Sequence, residues 1–163
     1  MTVRACDLPE GALLAAYVAR EGTYTDCFEV AVGAEAALPA FVTAFYTTWL
    51  FRLERAVLSV ALRKRIRDSD VAALADGRAE CFAVWTVEAR GTGQILLCDI
   101  TGATRSYLAV TAYADGMTRL IFGSAVLGRN KGKLPLLVRV TTPLHRFYSK
   151  ALLQLAARRL GRG

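Results

Sequence analysis

The chain has 163 residues, of which 54% are hydrophobic, with a mean hydropathy of +0.32 and a formal net charge of +7. That length predicts one domain, residues 1–163, able to bury a core without metals or disulfides. The apolar content calls for a large core, or for apolar surface that meets a ligand, a partner or a membrane. Nucleic acid is not expected as a partner. The basic residues fall in separate groups, Arg63–Arg67, Arg129–Lys133 and Arg158–Arg162, with no aromatic side chains interleaved.

Leu8–Ala19 is a short apolar stretch after Pro9, read as a helix ending near Gly22. Asp7 and Glu10 precede Leu13–Ala16, so no basic leader runs into an unbroken apolar run, and no secretion signal is expected. In Tyr24–Val32, the residues Tyr24, Phe28, Val30 and Val32 share one side of an alternation and predict the first strand. From Ala36 the period changes. Leu38, Phe41, Val42, Phe45, Trp49, Leu53 and Val57 recur at helical spacing opposite Thr43, Thr47, Thr48, Arg52 and Arg55. This predicts a buried helix running to about Arg63, with room for a break. Its charge-free part, Ala36–Phe51, is shorter than the ~18–20 residues of a membrane span. Ser69 is expected to cap a short helix, Asp70–Asp76, which Gly77 closes.

A meander of strands follows, divided by Gly91-Thr92-Gly93, Thr101-Gly102-Ala103 and Asp115-Gly116. Glu80–Arg90 alternates, with Cys81, Ala83, Trp85, Val87 and Ala89 as the inward set. Gln94–Ile100 is uniformly apolar. Thr104–Tyr113 places Ser106, Leu108, Val110 and Ala112 on one face, and Thr118–Val126 places Leu120, Phe122 and Ser124 likewise. After a basic loop, Gly128–Lys133, and apolar Leu134–Val140, Thr142 reads as a helix N-cap with Pro143 at the first helical position. Leu144, Phe147, Tyr148, Ala151, Leu152 and Leu155 form the expected buried stripe of a helix ending at Leu160. The reading is α+β: a curved antiparallel sheet of about five strands wrapped on a long C-terminal helix.

This order of elements, with Pro9-Glu10-Gly11, Tyr24–Val30, Trp49–Arg55, Thr104–Leu108, Thr118–Val126 and Pro143–Leu152, resembles the START-like superfamily, which includes pollen-allergen-like proteins and polyketide cyclases. Within it, the chain looks like a bacterial family of unknown function. The resemblance spans nearly the whole chain. It implies a helix-grip fold with an apolar cavity between the sheet and the last helix, although fuller members have seven strands.

The candidate ligand-binding residues are Trp85, Leu108, Phe122, His145 and Tyr148, expected to face the terminal helix. His145 is the single histidine, so any histidine base must be this one. The plainer reading makes it a boundary residue bonded to a backbone carbonyl. Asp99 fits either a perturbed carboxylate or an ordinary turn aspartate. Asp99, Arg105 and His145 are candidates to converge at one cavity mouth. Cys6, Cys27, Cys81 and Cys98 have no CxxC spacing and read as reduced, buried thiols. Neither a metal nor a cofactor is expected, and Gly128–Gly132 is not a phosphate loop.

The leading expectation is a cytoplasmic binding module for a small hydrophobic or amphipathic ligand. The alternatives are a cyclase- or aromatase-like enzyme using the same cavity through His145 or Asp99, and a structural protein with a filled core. Basic helix ends allow weak contact with anionic membranes. Phe82, Val84, Tyr107 and Ile121 fall on the outer sheet face, where Leu8–Ala19 is too short to cover them. A homodimer through that face is expected.

Overall fold

The fold is described from a computed structural model for residues 1–53, 56, 66–113, 116–128 and 136–161, with 136–143 as backbone alone. Seven strands form one antiparallel sheet: β1 (Arg4–Ala5), β2 (Thr23–Val32), β3 (Cys81–Phe82), β4 (Trp85–Gly91), β5 (Gln94–Asp99), β6 (Thr104–Ala112) and β7 (Thr118–Leu127). Their order is β1-β2-β7-β6-β5-β4-β3. Helices α1 (Ala15–Val18), α2 (Leu38–Tyr46), α3 (Asp68–Ala75) and α4 (Leu136–Leu160) complete the described elements. Among the described residues, no helix is long and apolar enough to cross a membrane. The expected positions Val57, Arg63, Asp115 and residues 129–135 lie outside the described residues.

The strand count exceeds the expected five for two reasons. β1 is a two-residue addition on the edge of β2. Glu80–Arg90 is not one strand but a hairpin in which Phe82 pairs with Trp85 across a two-residue turn. Ala83 takes φ 53 there, a conformation that costs an L-residue roughly 1 kcal/mol. The turn resets the alternation and sends Phe82, expected on the outer face, into the inner core. A register shift between Val87 and Ala89 then moves Ala89 to the outer face.

The alternations of β2, β6 and β7 divide the core into two layers. Phe28, Val30, Leu108, Leu120 and Phe122 pack inward against α2 and α4. Cys27, Tyr107, Ala109, Ile121 and Ala125 point the other way. Apolar side chains on both faces require cover on both. The inner cover is α2 and α4. The Phe45 ring stacks on Phe122 at 4.8 Å, and Tyr46 Oη lies 2.8 Å from Ser106 Oγ. The outer cover is the N-terminal segment, from which Ala12, Leu14 and Tyr17 pack on the sheet. Gly123 makes this possible, since a Cβ there would stand 2.7 Å from Leu14 Cδ2.

The four residues expected at a dimer interface do not share the outer sheet face. Tyr107 and Ile121 are 1% and 0% exposed within the single chain, Phe82 is in the inner core, and Val84 lies in the hairpin turn beside the inner cavity. Of these four residues, Tyr107 and Ile121 are covered by the chain's own N-terminal segment.

Three helix readings also change. α2 ends at Tyr46, because Thr47 leaves helical geometry at φ −111 and ψ 10. Its hydroxyl donates to the Thr43 carbonyl at 2.6 Å. Helical backbone resumes at 49–53, with Thr48 Oγ1 accepting the Phe51 N–H at 3.2 Å as an N-cap. The break rotates the face: Phe51 is buried, whereas Trp49 and Leu53, expected in the buried stripe, are exposed. α3 starts before Ser69, and the Asp70 carboxylate accepts the Arg67 N–H at 2.8 Å. α4 begins at Leu136, so Thr142 is not its cap and Pro143 lies inside it. Its buried face is Ser149, Leu152, Leu153, Ala156 and Ala157, and Leu144 and Phe147 point to solvent.

Candidate ligand-binding site

A cavity of about 300 Å3 lies between the inner sheet face and α4. That is the lower end of ordinary ligand-pocket volumes, roughly 300–1,000 Å3. Four of the five expected binding residues, Trp85, Phe122, His145 and Tyr148, line it. The fifth does not: Leu108 is fully buried in the inner core, paired with Phe122 on one side and Ile95 on the other. Phe45, Phe51 and Leu152 add apolar wall.

The polar groups at the cavity have two states of satisfaction. Ser124 sits opposite Asp26 across the β2–β7 ladder. Its Oγ is 2.6 Å from Asp26 Oδ1 and 2.9 Å from His145 Nε2. A serine hydroxyl has one proton, and the nearer carboxylate oxygen can only accept it. Ser124 therefore donates to Asp26 and accepts from His145 Nε2–H. Tyr24 Oη donates to the other Asp26 oxygen at 3.2 Å. Burial, reinforced by Asp26, pushes the Tyr24 phenol up to about 12 and keeps it a donor. A serine nucleophile needs the imidazole nitrogen to take its proton. Here the proton points at Asp26, so the cluster orients His145 rather than activating Ser124.

The second group is unsatisfied. Trp85 Nε1 and Ser149 Oγ are buried, and among the described residues neither has a hydrogen-bond partner. Both residues line the cavity. Ser149 is one helical turn after His145, on the same face of α4.

Asp99, Arg105 and His145 all border this cavity, but their side chains bond to different partners. Asp99 folds its own turn: Oδ1 accepts from the Ala103 and Thr104 N–H groups at 2.9 and 3.0 Å, and Oδ2 from Thr101 Oγ1 at 2.7 Å. Arg105 points to the outer face, where its Nε is 2.6 Å from Glu88 Oε2 and 3.0 Å from Tyr17 Oη. His145 alone of the three binds across the inner face, and through a side chain rather than the expected backbone carbonyl.

Comparison with protein-family models, curated proteins and solved structures finds no match. The functional reading therefore stands on the cavity itself.

Ser149, Ser124, Asp26 and Tyr46 were missed as site residues by sequence reasoning. The available signal was a polar residue inside an otherwise apolar alternation, as at Asp26 among Tyr24, Phe28 and Val30, and at Ser124 after Leu120 and Phe122. For His145 the structure gives a quantitative expectation. His145→Gln keeps a donor within reach of Ser124 and loses at most one hydrogen bond, so it should cost about 1 kcal/mol or less in urea denaturation. A cost of several kcal/mol would show that the imidazole anchors the whole Asp26–Ser124 cluster.

Proposed function

We propose that this chain binds a small apolar or amphipathic molecule in the cavity between the sheet and α4. We further infer that its architecture is the helix-grip arrangement of START-like proteins. The seven-stranded sheet and the long terminal helix support the second inference. One observation carries the first: two buried donors, Trp85 Nε1–H and Ser149 O–H, border the same cavity with no hydrogen-bond partner among the described residues. Leaving a buried polar group unpaired costs roughly 1–3 kcal/mol. A ligand carrying a hydrogen-bond acceptor, such as a carbonyl or ether oxygen, removes that cost at either donor. Aromatic rings of Phe45, Phe122 and Trp85 favour a flat apolar body for the rest of it.

A filled core accords less well with these unpaired donors. An acid–base enzyme has less support than a binder, since Asp99 is committed to its turn and His145 to Ser124. Native mass spectrometry of freshly purified protein tests the proposal. A non-covalent small-molecule adduct is expected on the wild type and is expected to be lost from a Ser149→Phe variant, whose added ring fills the cavity. An adduct of equal abundance on both proteins would place the molecule elsewhere and refute the site.

A further inference from the structure

Cys6 and Cys27 face each other beside β1. The register that pairs Arg4 with Glu29 and Ala5 with Phe28 continues to them, and the Cys6 N–H donates to the Cys27 carbonyl at 3.1 Å. Hydrogen-bonded antiparallel pairs have Cα atoms about 5.5 Å apart, well inside the ~4.4–6.8 Å that a disulfide spans. The two Sγ atoms lie 3.2 Å apart, and both thiols are free. Cys27 is buried in the outer layer, while Cys6 is half-buried at its rim and reachable from solvent.

We propose that Cys6 and Cys27 are a covalent modification site, closed to an intrachain disulfide by exchange with a small-molecule disulfide such as oxidised glutathione. The Cys6 thiolate attacks one glutathione sulfur, forming a mixed disulfide and releasing one glutathione. Cys27 then gives up its proton and attacks Cys6 Sγ, releasing the second glutathione. The two protein thiols lose two electrons and two protons in all, and the oxidant is reduced to two thiols. The order follows from the environment. The hydrogen bond from Cys27 lowers the Cys6 thiol below its ordinary range, and the same bond together with burial raises Cys27. The product ties the N-terminal cover to the sheet: the closed loop contains Leu14 and Tyr17, the side chains that seal the outer face.

The test is incubation of the folded protein with oxidised glutathione at neutral pH, then acid quenching, alkylation and peptide mass mapping. The wild type should yield a Cys6–Cys27 linked peptide at a mass about 2 Da below the two free peptides. Cys27→Ser should stop at one glutathionyl group on Cys6. Amide hydrogen exchange in residues 12–17 should slow at least tenfold in the oxidised wild type. Wild type that ends with glutathione retained on Cys6, or with both thiols still open to alkylation, would overturn the proposal. Unchanged exchange after linkage would overturn the tethering of the cover.

Discussion

Leu14→Ala should lower the unfolding free energy by about 3 kcal/mol, within the roughly 2–5 kcal/mol range of buried leucine truncations. Leu14 is 0% exposed although it lies in a segment with only four residues of helix. Its methyl groups reach the sheet through the gap left by Gly123. The loss should open the outer face over Tyr107 and Ile121, so the variant should also bind 8-anilinonaphthalene-1-sulfonate more strongly. Urea denaturation followed by circular dichroism measures the first effect. A cost below 1 kcal/mol would mean that Leu14 does not seal this face, and would return it to consideration as an interface between copies.

Glu29→Gln should have the second-largest effect. Glu29 is a buried carboxylate on β2, held by Arg4 Nε at 2.6 Å and by the Arg119 guanidinium. Burial alone would raise this carboxyl, but the two arginines outweigh it and hold it below its ordinary value of 4.5. Removing one partner from a buried pair costs roughly 3–5 kcal/mol. Arg4 and Arg119 retain 67% and 30% of their side-chain exposure and rehydrate, which discounts the cost to about 2 kcal/mol. The sign of the pH dependence follows. A depressed folded-state value makes this stabilisation complete above the unfolded value. It is lost as pH falls through the folded one. Wild type should therefore exceed Glu29→Gln by about 2 kcal/mol at pH 7, and the gap should narrow at pH 3. An equal gap at both pH values would show that the ion pairs do not set it.

The parts of this fold that were legible in the sequence are those in which local pattern and tertiary environment agree. β6 and β7 alternate without interruption, and the two faces this alternation predicts are those of the structure. The β3–β4 hairpin was hidden because its turn carries none of the residues that signal one. Ala83 occupies a conformation usually given to glycine or asparagine, so one continuous strand fitted the sequence equally well. On α4 the large side chains Leu144 and Phe147 set the expected stripe. The buried face instead combines Leu152 and Leu153 with small residues, Ser149, Ala156 and Ala157, which let the helix approach the sheet. Side-chain size and burial part company here.

The N-terminal cover was illegible for another reason. It is mostly irregular, so it has no period to detect, and its fit depends on Gly123, more than 100 residues away. The site was half-legible on the same grounds. Trp85, Phe122, His145 and Tyr148 follow from alternation and from the position of the terminal helix. The meeting of Asp26, Ser124 and His145 depends on the β2–β7 register, which joins strands 98 residues apart at that point.

The most direct test uses the Trp85 indole N–H, whose resonance appears separately in a proton–nitrogen correlation spectrum. The chain has two tryptophans, Trp49 and Trp85, and Trp85→Phe assigns the signals. Trp49 is exposed and serves as an internal control. Titration with acetophenone and with ethylbenzene presents the same apolar body with and without an acceptor oxygen. If the cavity is a binding site, acetophenone should saturate and move the Trp85 indole proton downfield. Ethylbenzene should bind at least tenfold more weakly, the ~1.4 kcal/mol equivalent of one hydrogen bond. A Trp85 resonance that neither compound moves, or that shifts only in parallel with Trp49, would contradict the account.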